Sequence, residues 1–68
     1  MAGRLNKLIV KQFFDKETSS YTYLVGNKNG NATLIDPVKK NTLQYERKLK
    51  ELDLDLIFAF DTHIHADH

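Results

Sequence analysis

Sixty-eight residues allow one small domain at most. With no cysteine, disulfides and thiolate metal ligands are excluded, so a chain this short needs another staple, such as a metal or a partner. A net charge of +1, interspersed acids and bases, and a longest apolar run of five residues argue against nucleic acid, a membrane surface or a membrane span as the main partner. No apolar segment of secretory length follows Met1-Ala2-Gly3-Arg4. A single Arg in the N-terminal stretch and the early acids argue against a mitochondrial transit peptide, which leaves the cytoplasm as the expected compartment.

Leu5 to Phe14 reads as a first strand, with Leu8, Val10 and Phe14 on one face and Ile9, Lys11 and Phe13 on the other. Core packing is the expected role of both Phe13 and Phe14. Asp15 to Ser19 is a polar turn. Ser20 to Val25 is a second strand, in which Tyr21, Tyr23 and Val25 share a face; the tyrosines are read as packing residues with their hydroxyls at the rim. Gly26-Asn27-Lys28-Asn29-Gly30-Asn31 is the clearest turn, because Asn-Gly accepts the positive φ angles of a tight hairpin. It lacks the spacing of a phosphate-binding loop, which argues against a nucleotide role.

A third strand, Ala32 to Ile35, ends at Asp36-Pro37, where proline favours extended geometry at Asp36. That aspartate could reach a metal site from a neighbouring strand end, but a plain turn is the preferred account. Asn41 to Leu52 is a helix, with Asn41 as N-cap and Gln44 echoing a capping box. Thr42, Tyr45, Leu49 and Leu52 form its apolar stripe, and the charges of both signs around them form a solvated face. After Asp53-Leu54-Asp55, the apolar run Leu56 to Phe60 is a strand with no alternation, which predicts burial on both faces. Strand, helix, strand is a βαβ unit. Its last strand needs more layers than the chain supplies. The expectation is therefore that residues 1–68 are an incomplete piece of one larger domain. Alone they would be unfolded, aggregated or dependent on a partner, foremost the remainder of that domain.

The chemistry is concentrated in Thr62-His63-Ile64-His65-Ala66-Asp67-His68, which holds all three histidines of the chain. Imidazole nitrogen and carboxylate oxygen are the usual ligands of zinc and of non-haem iron. The cluster follows a strand directly, as sites in open α/β sheets do. In an extended segment His63 and His65 project to one side; a turn near Ala66 would bring Asp67 and His68 in from another direction. These four ligands in six residues serve one ion or two adjacent ions. A helix fits less well, since it would pair His63 with Asp67 and His65 with His68 on different parts of its surface. The competing readings are a solvated loop, core histidines satisfied by hydrogen bonds, and a cloned tag, although a tag would be an unbroken histidine run. Thr62 opens the segment, with a hydroxyl that either braces the ligand loop or serves only as a strand residue.

His-x-His-x-Asp-His after an apolar strand resembles the signature of the metallo-β-lactamase fold superfamily. The segments Phe14 to Val25, Ala32 to Val38 and Thr62 to His68, in that order, resemble the persulfide dioxygenase branch, which is glyoxalase II-like. The resemblance covers nearly all of this chain but only the N-terminal part of the family's domain. It implies an α/β (α+β) fold: the N-terminal part of an αββα sandwich, antiparallel strands followed by a βαβ unit. It also implies an oxidoreductase of sulfur metabolism that uses a mononuclear Fe(2+) to oxidise glutathione persulfide, or another glutathione thiol derivative, with O2 to sulfite and glutathione. On that likeness His63 is the iron ligand, and His65, Asp67 and His68 stand around it or position water, with Asp67 and His68 as the catalytic candidates. The remaining His and Asp ligands would come from further sequence. In the superfamily's dinuclear hydrolases, His63 and His65 would hold one metal and Asp67 and His68 the other. A glyoxalase II-type thioester hydrolase with Zn(2+) is therefore the alternative enzyme. A truncated or split-domain fragment without catalysis of its own is the alternative of another class.

Overall fold

The structure, a computed structural model, describes residues 8–62. Side-chain alternation and β-branched or aromatic residues make β1 (Leu8–Asp15), β2 (Ser20–Asn27) and β3 (Asn31–Ile35). A 3-10 turn (Lys39–Asn41) leads into α1 (Thr42–Glu51), and β4 (Asp55–Phe60) closes the set. The four strands form one sheet in the order β1-β2-β3-β4. The first two pairings are antiparallel and the last is parallel, as a helical crossover requires. The antiparallel start and the βαβ unit are therefore as read from the sequence.

Helix α1 covers one face of the sheet. Leu24, Ala32, Leu34, Tyr45, Leu49 and Leu54 are buried there, and Phe13 and Leu52 pack against them. Phe13 meets the Tyr45 ring edge-on, with centroids 5.2 Å apart. Burial of each such aliphatic side chain contributes about 1.5–3 kcal/mol, so this layer stabilises the unit. Phe14 points the other way, as the alternation requires, and is 55% exposed against Tyr21, not in the core.

The turn between β2 and β3 is Lys28-Asn29-Gly30, one residue longer than the tightest hairpin, and Gly30 alone takes a positive φ, +89°. Asn27 Oδ1 accepts from the backbone amides of Asn29 and Asn31, which braces the turn. Asn41 precedes α1 but makes no side-chain cap; the capping box is not formed. Its amide instead donates to Asp15 Oδ1 at 3.0 Å, because a buried carboxylate needs the donor more than an exposed helix end does. The other end of α1 is a Schellman arrangement. Asp53 sits at φ +59°, its amide donates to the Lys50 carbonyl, and the Leu54 amide donates to the Leu49 carbonyl.

Two further expectations fail. Every residue of β4 is exposed, Ile57 by 63% and Phe58 by 57%: β4 is the edge strand among the described residues, and none of its residues joins the buried cluster that Tyr45 and Leu49 of α1 form with β2 and β3. Asp36 is not extended: its φ is +56°, despite the proline that follows.

Candidate metal centre

Parallel strands carry their C-terminal ends to the same edge of a sheet. The end of β3 therefore emerges beside the end of β4. The ladder closes there with the Asp36 amide donating to the Phe60 carbonyl at 2.8 Å. Past this bond the chain bends at Asp36, whose left-handed backbone turns its carboxylate toward the segment leaving β4. That carboxylate accepts two bonds from Thr62: the backbone amide reaches Oδ1 at 2.6 Å and the hydroxyl reaches Oδ2 at 2.7 Å. Bonds to an ionised acceptor are the stronger kind. Thr62 is thus fixed through both its main chain and its side chain immediately before His63.

A second set of bonds holds Asp36 from behind. The Thr22 hydroxyl donates to the Asp36 carbonyl at 2.6 Å. Thr22 Oγ1 lies 3.1 Å from the Tyr45 hydroxyl, and the Val38 amide donates to Tyr45 at 2.9 Å. Thr22 and Tyr45 are 1% and 3% exposed, and among the described residues no buried side-chain nitrogen or oxygen lacks a hydrogen-bond partner.

A separate polar cluster ties the β1–β2 turn to the 3-10 turn. Asp15 Oδ2 accepts the amide and hydroxyl of Thr18, and Asp15 Oδ1 accepts Asn41 Nδ2 and lies 3.3 Å from Lys40 Nζ. Lys40 also pairs with Glu17. The Asn41 and Thr18 donors hold the Asp15 carboxyl well below the usual carboxylate range against the opposing effect of burial. These groups brace the fold at the β1–β2 turn and the 3-10 turn.

The four site residues expected from the sequence, His63, His65, Asp67 and His68, lie outside the described residues. Among the described residues no group of three or more His, Cys, Asp or Glu could hold a metal. The candidate donors are therefore imidazole and carboxylate groups that follow Thr62 in the sequence, a set whose chemistry suits iron or zinc. From the sequence, Asp36 reads as a plain turn and Tyr45 as part of the apolar helix stripe, while Thr22 carries no signal of its own. The missed signal was the βαβ reading itself, since parallel strands that end at Ile35 and Phe60 must set Asp36 beside the residues leading to His63.

Comparison with known proteins bears on the whole unit. No family model matches the chain. The chain is similar to "Persulfide dioxygenase ETHE1, mitochondrial" of Mus musculus, with 40% identity over 62 residues that make up 90% of this chain and 24% of the relative. The proteins of the same description from Bos taurus and Homo sapiens match over the same shares at 40% and 39% identity. Among solved structures it is similar to ETHE1 from Myxococcus xanthus, with a TM-score of 0.80 and 49% identity, over 88% of this chain and 27% of that one. The chain thus spans about a quarter of the length of the curated relatives it matches. No described helix is long and apolar enough to cross a membrane.

Proposed function

Because the chain is homologous to the N-terminal part of the persulfide dioxygenases and shares their metallo-β-lactamase fold, we propose that the protein to which it belongs oxidises glutathione persulfide with O2, giving sulfite and glutathione. The observation that carries this reading is the sequence match, which extends over most of the chain and includes the strand that runs into the histidine segment. Residues 1–68 are one incomplete portion of that domain and are inactive by themselves. The partner they need is the remainder of the domain, whose later His and Asp complete the ligand set.

His63 would hold the metal, and His65, Asp67 and His68 would stand around it to orient substrate or water, with Asp67 and His68 as the candidates for moving protons. A ferrous ion bound there by His63 and the later His and Asp would supply the redox chemistry for reaction of O2 with a sulfur substrate. The described residues contribute the platform. The bond from the Asp36 amide to Phe60 keeps the two strand ends together, and the Asp36 carboxylate holds Thr62 by its amide and its hydroxyl. The relatives' mitochondrial description and the cytoplasmic expectation differ. The cytoplasm stands as the proposed compartment, which imaging of a fluorescent fusion of the full-length gene product would decide.

The test is metal content and thiol-dependent oxygen uptake of the full-length gene product, with the 68-residue chain beside it. The expected result is about one iron per full-length chain, O2 consumed only when glutathione persulfide is added, and no uptake by the short chain. Two zinc ions per chain, with thioester hydrolysis and no O2 uptake, would replace the dioxygenase with the glyoxalase II-type hydrolase.

A further inference from the structure

Tyr45 and Thr22 form a directional hydrogen-bond chain that ends at the backbone of Asp36. A hydroxyl has one proton to give. The Thr22 proton goes to the Asp36 carbonyl, so at the Thr22–Tyr45 contact the tyrosine must donate. The Tyr45 oxygen in turn accepts from the Val38 amide. The order is therefore Val38 N–H to Tyr45 Oη–H to Thr22 Oγ1–H to Asp36 C=O, with each hydroxyl used once as donor and once as acceptor. Both hydroxyls are almost wholly buried, and no water is needed to complete the chain.

The last link falls on an unfavourable backbone. Asp36 is a non-glycine residue at φ +56°, and it precedes proline. Such a conformation persists only when its surroundings determine it. Here Asp36 is fixed on both sides of its Cα: its amide donates to Phe60 in β4, and its carbonyl accepts Thr22 from β2. From this pinned backbone the carboxylate reaches Thr62 and accepts both its amide and its hydroxyl. A helix residue, Tyr45, is thereby connected through Thr22 and Asp36 to the residue that precedes His63.

From this geometry we infer that Tyr45 and Thr22 are positioning residues for the metal centre, acting through Asp36 on Thr62. The inference rests on the metal site proposed above. Removing either hydroxyl frees the Asp36 backbone to relax, swings the carboxylate away from Thr62 and loosens the entry to the ligand segment. Groups that orient metal ligands typically alter metal affinity by about 10–100-fold when lost, and that range is the expected effect.

The test uses the full-length gene product with Tyr45→Phe, Thr22→Val, Thr22→Ser and, as a packing control, Leu49→Val, which thins the same buried layer without removing a hydrogen bond. Two quantities are read: hydrogen exchange of the Thr62 amide in the metal-free protein, and retention of Fe(II) against a competing chelator. Tyr45→Phe and Thr22→Val should speed the exchange and weaken retention roughly 10–100-fold. Thr22→Ser, which keeps the hydroxyl, should restore both, and Leu49→Val should change neither even where it lowers stability. If Tyr45→Phe and Thr22→Val lower stability as Leu49→Val does but leave exchange and retention at wild-type values, these residues are packing groups only and the inference is overturned. If the wild-type protein retains zinc in place of iron, retention of zinc is read in the same way. If it retains neither, the proposed function fails on its own account, and Thr62 exchange alone then upholds or rejects the relay.

Discussion

The carboxylate of Asp36 grips Thr62 at two points, the amide at 2.6 Å and the hydroxyl at 2.7 Å, across 26 residues of sequence. The grip depends on a left-handed Asp36, so substitutions there separate backbone strain from lost bonding. Asn tolerates this conformation and keeps an acceptor, Gly removes the strain but loses the acceptor, and Ala suffers both penalties. Asp36→Ala should cost about 2 kcal/mol or more, Asp36→Gly less, and Asp36→Asn least. Urea unfolding of the full-length gene product should give midpoints in that order. An Ala variant as stable as the Asn variant would show that the grip contributes nothing.

Asp15 predicts acid sensitivity. Its hydrogen bonds from Asn41 and Thr18 hold the folded carboxyl below the ordinary value of 3.8 that it regains on unfolding. In acid the unfolded chain therefore takes up the proton first. The stability this residue contributes is present above that ordinary value and is lost as pH falls through it toward the folded value. A stability–pH curve should slope downward from about pH 5, and Asp15→Asn should flatten that slope while lowering stability at neutral pH. Equal slopes for the two proteins would remove Asp15 as the cause.

Gly26 lies under Leu54. A methyl group at Gly26 would sit 2.6 Å from Leu54 Cδ1, and Leu54 is 7% exposed, with little room to retreat. Gly26→Ala should destabilise by about 1–3 kcal/mol through overpacking. Combined with Leu54→Ala, the loss should be smaller than the sum of the two single changes, because one change makes room for the other. Strict additivity in thermal or urea unfolding would contradict the contact.

The far face of the sheet carries Phe14 and Tyr21 at one side and Phe58 and Phe60 at the other, with ring centroids 5.0 Å and 5.4 Å apart within each pair. Together with the exposed edge strand β4, this is a surface for association of the 68-residue chain with itself. Phe58→Lys should reduce light scattering by that chain several-fold while its far-UV circular dichroism stays the same. Scattering that does not change would place the sticky surface elsewhere.

The arrangement of strands was readable because local patterns and the global fold agree. The alternation in Leu8 to Phe14 set Phe13 inward, Gly30 closed the turn, and the Tyr45–Leu49 stripe found the sheet. What misled the reading was competition for polar groups. Asn41 looks like a cap in sequence, but a buried Asp15 some distance away takes its amide. Pro37 argues for an extended Asp36, but a bond from its amide to the Phe60 carbonyl and one from the Thr22 hydroxyl to its carbonyl outweigh that local preference. Apolarity along Leu56 to Phe60 gives the composition of a buried strand and cannot say what lies next to it. The histidine motif was legible as chemistry. Its anchor was not, because the pairing of Asp36 with Thr62 exists only once the crossover has closed.

That closure also orders events in time. The pairings of β1 with β2 and of β2 with β3 are hairpins, whose strands are neighbours in sequence. The pairing of β3 with β4 must wait until a helix has formed and carried the chain back across the sheet. Local contacts form early, and contacts between distant residues form late. By that rule the Asp36–Thr62 anchor, which joins residues 26 apart, forms after the two hairpins. A metal at the proposed site would then be captured late in folding, as a latch on a finished structure, with no part in seeding an unfinished one.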